Sequence, residues 1–245
     1  ITRVAYEGNT AVVVEVNSET DFVAKNATFQ EFVQAVADKA LKASVDKAGD
    51  GEDVCAILDM QSELEEKTLT IGEKLSIRRF QKIAEPGTVN IGYVHGGGKI
   101  CVIVTLKTDA SADEVTVMGK DVAMQVASMN PKYVSEDDVD PEFIESEKKI
   151  LVQQALNEGK PADIVEKMVV GRLKKELKET CLLEQKFVKD NDVTVAQYVK
   201  NCAKEIGKDV EVVGMVRYEV GEGIEKKEED FAAEVAAQQA AAAKK

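Results

Sequence analysis

The sequence predicts an α+β protein with two related units of antiparallel sheet plus helices, an inserted antiparallel helical hairpin and a C-terminal helix. Two observations support this fold class. First, two short apolar segments around a turn, followed by a helical pattern, occur twice, near residues 4–40 and 89–129. Second, a long charged stretch with helical spacing separates the second pattern from a final strand. Because antiparallel hairpins leave a sheet face that helices must cover, each unit is expected to have its own core.

The first unit begins with a hairpin, since residues 4–6 and 11–16 are rich in strand formers and flank a turn at residues 7–10. A helix follows, capped by Asn26 or Thr28. Its apolar residues recur three and four apart: Phe29, Phe32, Val33, Val36, Ala37 and Ala40. Residues 54–68 predict an acidic helix, and residues 74–80 partly alternate as a half-buried strand does. Together these elements define a subdomain over residues 1–86.

The second unit repeats the plan. Residues 89–94 and 100–106 flank a turn at residues 95–99 that contains three consecutive glycines. A helix is predicted near residues 112–129, and a later strand over residues 212–220 is expected to join the second sheet. These elements define a second subdomain over residues 87–227.

A long helical insertion lies within the second unit. It begins near Pro141 and is interrupted around Gly159 and Pro161, because proline can open a helix but cannot continue one. We expect two helices, within about residues 162–206, to face each other as a protruding antiparallel hairpin, because each has only a thin apolar stripe. The stripes are Ile164, Val165, Met168, Val169, Leu173 and Leu177 on one helix and Val195, Tyr198, Val199 and Cys202 on the other. Residues 228–245 are alanine-rich and predict a C-terminal helical module.

Composition excludes several classes of function. The chain has 245 residues, 44% of them hydrophobic, which supports large cores. Its 45 acidic and 32 basic residues give a formal charge of -13, so nucleic acid is not an expected partner. No segment has the length and apolarity of a membrane span or a signal peptide, and we expect a soluble cytosolic protein. Four scattered cysteines and a single histidine predict reduced thiols and no metal site.

The motif Thr20-Asp21-Phe22-Val23 lies between the first hairpin and the first long helix. Two interpretations are open. Phe22 could project from a connecting loop with Asp21 beside it, or it could fill the local core while Thr20 or Asp21 caps the helix. The general preference of aromatic residues for the interior favours the second interpretation.

His95 and the three glycines after it resemble a phosphate-binding loop only superficially. No helix begins there and no Gly-Lys-Ser/Thr ending is present, so a hairpin turn with an exposed His95 is predicted. The acidic clusters at residues 137–140 and 228–230 lack the spaced ligands and glycine of a calcium loop, and are expected to be solvated or to cap helices. Hydrolase, metalloprotease and dinucleotide motifs are missing, so no covalent catalysis is expected.

A set of ordered motifs resembles the elongation factor Ts family of bacteria and organelles. The principal one is EVNSETDFVAKN at residues 15–26. Further matches are IGE at 71–73, IRR at 77–79, YVHG at 93–96, GKP at 159–161, EKM at 166–168, GR at 171–172, QKFV at 185–188, RYEVGEGIEK at 217–226 and DFAAEV at 230–235. The resemblance covers residues 1 to about 237. It does not include the small N-terminal helical domain usual in the family, which helps to hold the partner, so we expect weaker binding than for a chain that carries it.

The resemblance implies a guanine nucleotide exchange factor for the translation GTPase elongation factor Tu. In this family Asp21 and Phe22, within Thr20-Asp21-Phe22-Val23, match the pair that intrudes near the magnesium site of the GTPase. Ile71 and Gly72 match a neighbouring contact segment, and His95 matches a contact histidine. The magnesium and the GDP or GTP belong to the partner, so no cofactor of this chain is implied.

The resemblance leaves other questions open. Two copies could pair, as a homodimer or as a dimer of heterodimers with the GTPase. A bacterial cytosol is the expected location, although an organellar protein without its targeting region would look the same. The alternative function is a translation-associated interaction protein that uses its helical hairpin as an arm and has no exchange activity.

Overall fold

The computed structural model describes residues 1–49, 51–159 and 161–224. Its first unit contains a four-stranded antiparallel sheet in the order β1-β2-β4-β3. The elements of this unit are β1 (Thr2–Glu7), β2 (Thr10–Asn17), α1 (Asp21–Ala24), α2 (Ala27–Leu41), β3 (Lys47–Ala48), α3 (Val54–Ile57), α4 (Gln61–Ile71) and β4 (Ser76–Ile83). The expected hairpin and long helix are confirmed, with Asn26 rather than Thr28 as the cap of α2.

The single acidic helix expected over residues 54–68 is instead two helices, α3 and α4. Asp59 between them has a positive φ of 52°, which no continuous right-handed helix allows. The side chain of Asp53 caps α3 by accepting a hydrogen bond from the amide of Ala56. The acidic composition of this stretch correctly indicates helix, but composition does not show the break at Asp59 between α3 and α4.

The second unit contains a three-stranded antiparallel sheet in the order β5-β6-β9, and a separate β7-β8 pair. Its elements are β5 (Thr88–His95), β6 (Ile100–Thr108), α5 (Ala112–Met129), α6 (Pro141–Asn157), α7 (Ala162–Thr180), β7 (Lys186–Phe187), β8 (Asp190–Thr194), α8 (Val195–Ile206) and β9 (Val210–Glu219). The predicted hairpin, helix and late strand of this unit are therefore confirmed, and so is the α+β class.

The two sheets pack face to face, with α2 outside one sheet and α5 outside the other. Alternate residues of β2 serve different cores, because successive side chains of a strand point to opposite faces. Val12, Val14 and Val16 belong to the core under α2. On the other face a shared core forms between the sheets, made of Ala11, Val13, Cys101, Ile103 and Tyr218. The same alternation sends Val102, Val104 and Leu106 of β6 towards α5. Hence both central strands are buried on both faces.

Helix α5 lies unusually close to the second sheet. A Cβ built on Gly119 of α5 would lie 2.6–2.9 Å from three side-chain atoms of Ile91 on β5. Because carbon atoms do not approach this closely without displacement, glycine is required here for the packing distance. Ile91 and Gly119 are both buried, so neither has solvent into which to move.

Gly119→Ala is expected to lower the free energy of unfolding by about 1–3 kcal/mol, as overpacking of a tight core does. Gly171→Ala is the matched control, since Gly171 is helical, exposed and has open space around its Cβ position. The free energy of unfolding of that control should rise by up to about 1 kcal/mol, because alanine has a higher helix propensity than glycine. Urea unfolding measures the change in unfolding free energy for each variant. Equal changes at the two glycines would contradict the close approach of α5 to β5.

The predicted partners of the helical hairpin are wrong. The antiparallel pair consists of α6 and α7, over residues 141–180, rather than two helices within 162–206. Their shared core contains Leu151 and Ala155 from α6 and Val165, Val169 and Leu173 from α7.

Helix α8 instead belongs to the second core, where Val195 and Val199 pack with residues of α5 and β9. The physical reason is that β7 and β8 follow α7 and turn the chain back to the sheet. The ring of Phe187 in β7 stacks on Tyr198 of α8 at a centroid distance of 4.2 Å. The apolar stripe of α8 therefore has a partner other than α7.

Three further expectations concern the C-terminal module, a membrane span and the subdomain boundary. The predicted C-terminal helical module over residues 228–245 lies outside the described residues. Of the helices that the structure describes, none combines the length and the apolarity needed to cross a bilayer. The subdomain boundary near residue 86 stays a prediction.

Candidate functional site

The candidate site begins with the short loop between β2 and α2. Helix α1 occupies this connection with a single turn, and Val23 is its buried residue. Phe22 beside it is 81% exposed. Val23 thus fills the local core position, and the core-filling interpretation of Phe22 is excluded. Asp21 is exposed next to Phe22. The loop presents an aromatic ring to solvent with a carboxylate as its neighbour.

The end of α2 nearest this loop is firmly held. The Asn26 side chain accepts hydrogen bonds from the amides of Thr28 at 2.8 Å and Phe29 at 3.3 Å. Phe29 is fully buried in the core of the first unit. The stretch that carries Phe22 is therefore anchored on its C-terminal side by a capped helix.

On its N-terminal side the loop is tied to the segment after α4. The Glu73 carboxylate accepts hydrogen bonds from the Glu19 amide at 3.1 Å, the Thr20 amide at 2.9 Å and the Thr20 hydroxyl at 2.5 Å. In return the Glu19 carboxylate accepts one from the Lys74 amide at 3.1 Å. These reciprocal bonds among Glu19, Thr20, Glu73 and Lys74, here called the Glu73 clamp, hold the two segments side by side.

The structure therefore brings the predicted contact segment, Ile71 and Gly72, next to the Phe22 loop. Gly72 ends α4 in a left-handed conformation with φ 78°, which a residue with a side chain rarely adopts. Ile71 packs partly against the core of the first unit. Leu69, in the last turn of α4, is 83% exposed. Sequence reasoning missed this second exposed apolar side chain.

His95 lies at the end of β5, exposed and in contact with Tyr93. The Tyr93 hydroxyl is 3.1 Å from Nδ1 of His95. The β5-β6 turn reaches the first unit, because the carbonyl of Gly98 accepts hydrogen bonds from the amide and hydroxyl of Thr2 at 2.7 and 2.9 Å. Thr2 pairs with Glu15 near the end of β2. His95 thus shares one end of the paired sheets with the Phe22 loop.

A buried carboxylate lies just before the loop. Glu15 has no solvent exposure and accepts hydrogen bonds from Arg78 at 3.0 Å, from Arg79 at 2.5 Å and from the Gly221 amide at 2.9 Å. Burial alone would raise the pKa of the Glu15 carboxyl, but the bonds from Gly221, Arg78 and Arg79 outweigh it and hold that pKa below its usual range. Arg79 also donates to the carbonyl of Glu219 at 3.1 Å. This network, the Glu15 cluster, joins both units.

A β-bulge explains how two consecutive arginines reach one carboxylate. Side chains of neighbouring strand residues normally point to opposite faces. In the β2-β4 pairing, Glu15 is opposite Arg79 while Val16 is opposite Ile77, which leaves Arg78 as the extra residue. The bulge turns Arg78 towards the side of Arg79. The sequence signal was present in the adjacent pair Arg78 and Arg79, but the partner Glu15 was not identified.

The acidic cluster over residues 137–140 supports local structure. Asp138 accepts hydrogen bonds from the amide and hydroxyl of Ser135, both at 2.9 Å. Asp140 caps α6 by accepting from the Glu142 amide at 2.8 Å. Within the described ranges, no three His, Cys, Asp or Glu side chains are grouped as a metal ion would need. The second acidic cluster, over residues 228–230, lies outside those ranges.

The cysteines behave as free thiols. Cys101 and Cys181 are buried, and burial raises the pKa of both thiols, which keeps them protonated at neutral pH. Cys101 lies in the shared core between the sheets, as a small apolar side chain would. No disulfide pairing among the four cysteines is present.

The fold and this surface define a class: two-unit α+β proteins with an exposed aromatic side chain on a loop that hydrogen bonds hold at both ends. The family model described as Elongation factor TS matches residues 19–222. The chain belongs to the elongation factor Ts family, a family of translation elongation factors.

Individual relatives agree with this assignment. Elongation factor Ts of Clostridioides difficile (strain 630) is 55% identical over 254 aligned positions, covering 96% of this chain and 82% of that protein. Elongation factor Ts of Clostridium perfringens (strain ATCC 13124) is 45% identical, covering 91% of this chain and 75% of its own. The protein of the same name from Magnetococcus marinus is 45% identical, covering 94% and 77%.

Proposed function

We propose that the chain is a guanine nucleotide exchange factor for elongation factor Tu, acting in the bacterial cytoplasm. It would promote GDP release by disturbing the magnesium and phosphate site of that GTPase and by stabilising its nucleotide-free state. The observation that supports this function most directly is Phe22, exposed at 81% on a loop that hydrogen bonds hold at both ends. A rigidly presented apolar side chain can enter a partner without a large loss of conformational entropy.

The chemistry of the partner gives the mechanism. In a GTPase of this kind, magnesium bridges the nucleotide phosphates to the protein and neutralises their charge. A ring inserted beside the magnesium ligands would displace them, so the diphosphate would lose charge compensation and dissociate faster. Asp21 would add a negative charge near the phosphates, which favours departure of the anion. This chain itself needs to make or break no covalent bond.

The proposal has a thermodynamic requirement. The factor must bind the nucleotide-free GTPase more tightly than the nucleotide-bound form, since a ligand shifts an equilibrium only by its differential affinity. By linkage, GDP must weaken the binding of the factor by the same ratio. The factor is then released when nucleotide rebinds.

The test is release of a fluorescent GDP analogue from elongation factor Tu, with and without this chain, across a magnesium titration. Acceleration is expected at saturating magnesium, and less at low magnesium, where the partner already releases GDP quickly. A folded chain that binds elongation factor Tu and leaves GDP release unchanged would contradict exchange. That result would support the alternative, a translation-associated interaction protein.

His95→Ala is expected to weaken docking more than it changes the release step, because His95 is exposed and lies on β5 of the second unit and not on the loop that carries Phe22. The factor concentration that gives half-maximal release should rise by about fivefold to tenfold, which corresponds to a contact residue worth about 1–1.4 kcal/mol. The maximal release rate should stay within about twofold. A titration of the factor separates the two quantities, and a drop confined to the maximal rate would contradict this assignment.

A further inference from the structure

The loop that carries Phe22 depends on a side chain to which the family resemblance gives no role. We propose that Glu73 is a positioning residue for nucleotide release, which fixes the direction in which Phe22 leaves the surface through bonds to Glu19 and Thr20. This inference rests on the proposed function. It concerns how the exposed ring is aimed, not whether it is exposed.

Helix α1 cannot hold its own geometry. It has four residues, and one helical turn is unstable in isolation because nucleation fixes several dihedral angles for one hydrogen bond. Its N-cap residue, Thr20, makes no side-chain capping bond to the helix. The Thr20 hydroxyl lies instead 2.5 Å from the Glu73 carboxylate. The usual internal support of a helix start is therefore replaced by a carboxylate from another segment.

The Glu73 carboxylate uses both of its oxygens for this purpose. One oxygen accepts from the Glu19 and Thr20 amides, and the other accepts from the Thr20 hydroxyl. Hydrogen bonds to an ionised acceptor are shorter and stronger than neutral ones. Three such bonds to two consecutive residues fix both the position and the rotation of the chain that enters α1.

The position of Glu73 is set in turn by α4. Gly72, with its positive φ, ends that helix and directs the next residue towards the loop. The Lys74 amide then donates to the Glu19 carboxylate, so each of the two segments donates hydrogen bonds to the other. Since Ile71 and Gly72 are the neighbouring contact segment, the same bonds set the spacing between the two parts of the proposed contact surface.

A purely structural role for Glu73 would require the first unit to lose stability when the Glu73 bonds are lost. A positioning role predicts a different outcome. Val23 is buried and Asn26 caps α2, so the first unit keeps its core and its long helix without the Glu73 bonds. Loss of these bonds should then leave folding intact and allow the Phe22 turn to take several directions. Productive insertion would become rarer in the bound complex, which lowers the rate of release and not the affinity.

The experiment compares Glu73→Ala and Glu73→Gln with Glu65→Ala, which removes an exposed carboxylate of α4 that takes no part in the Glu73 clamp. GDP release from elongation factor Tu is followed at increasing factor concentration. Glu73→Ala is expected to lower the maximal release rate by about tenfold, with a half-saturating concentration within about threefold of the unsubstituted chain. The maximal release rate of Glu73→Gln, which keeps one acceptor oxygen, should lie between those of Glu73→Ala and the unsubstituted chain. The rate of Glu65→Ala should match that of the unsubstituted chain.

Amide hydrogen exchange in the free chain supplies a measurement that does not require activity. Glu73→Ala should speed exchange at the amides of Glu19 and Thr20 and leave those of β2 residues Val12 and Val14 unchanged. Unchanged exchange at Glu19 and Thr20 would overturn the clamp. Faster exchange there with an unaltered maximal release rate would overturn its role in positioning. If the unsubstituted chain does not accelerate GDP release at all, the proposed function fails, and hydrogen exchange still reports on the clamp separately.

Discussion

Phe22→Ala is expected to abolish most of the acceleration of GDP release while the chain remains folded. The expected loss is at least about thirtyfold in the stimulated rate, the effect of removing an interface residue worth about 2 kcal/mol. The fold should survive, because Phe22 is 81% exposed and contributes little to the core of the first unit. Stopped-flow release of a fluorescent GDP analogue measures the activity, and urea unfolding measures the stability.

The matched control for Phe22→Ala is Val117→Ala. Val117 is an exposed apolar residue, at 72%, on the helix that covers the other sheet. Its truncation should change neither GDP release nor the unfolding free energy by more than about 0.5 kcal/mol. Normal release catalysed by Phe22→Ala would remove Phe22 from the mechanism.

Glu15→Gln should destabilise the fold more than any other single polar substitution considered for this chain. Gln is nearly isosteric, but its amide carries no charge and its NH₂ group would face guanidinium donors. Removing one partner of a buried ion pair costs about 3–5 kcal/mol. Arg79 keeps its ion pair with Glu222 at 3.2 Å, but it loses the fully buried carboxylate that it shares with Arg78. Arg79 is mostly buried against the Tyr218 ring, with its guanidinium carbon 4.1 Å from the ring centroid, so it cannot move readily to water.

The pH dependence of stability tests the same cluster. The pKa of Glu15 is lowered in the folded state, so its contribution is present above the unfolded-state value of about 4.3 and is lost as pH falls through the folded-state pKa. The difference in unfolding free energy between the unsubstituted chain and Glu15→Gln should be largest at neutral pH and shrink below about pH 4. Glu31→Gln, on the exposed side of α2, is the control and should cost less than about 0.5 kcal/mol. A difference that does not vary with pH would show that packing, and not charge, is lost.

The sequence was sufficient to predict those elements whose signals are local. Both hairpins have turn residues between apolar segments, and helix α5 begins and ends where predicted, with Ser111 and Glu114 forming a capping box. The duplication of hairpin and helix, and hence the α+β class, followed from the same signals. Propensity, capping and turn chemistry act over a few residues, so they can be recognised without knowledge of the whole chain.

Pairing between distant elements was less accessible. Helices α7 and α8 each have a thin apolar stripe, and a stripe does not specify its partner. The partner is decided by β7 and β8, two short strands that bring α8 back to the second sheet. Helix α6, the actual partner of α7, has few buried residues, chiefly Leu151 and Ala155, and its pattern was correspondingly weak.

The candidate site was predictable in part. Residue type alone favoured a buried Phe22, yet Val23 occupies the buried position and leaves Phe22 outside. Only the family resemblance pointed to an exposed ring. Glu73 was visible as part of the Ile71-Gly72-Glu73 match, but its bonds to Thr20 depend on the end of α4 meeting the end of β2. The functional roles of all these residues remain predictions.

The shared core between the two sheets has a consequence for folding order. Val13 and Cys101 lie on opposite sides of this core and are far apart in sequence, so their contact can form only after a large chain loop has closed. Until then, each sheet has an apolar face without a cover, which is the kind of surface that promotes aggregation of folding intermediates. The hairpins and their covering helices involve shorter loops and can assemble first. During synthesis, the face of the first sheet that carries Ala11 and Val13 would therefore stay exposed until β6 and β9 have emerged from the ribosome.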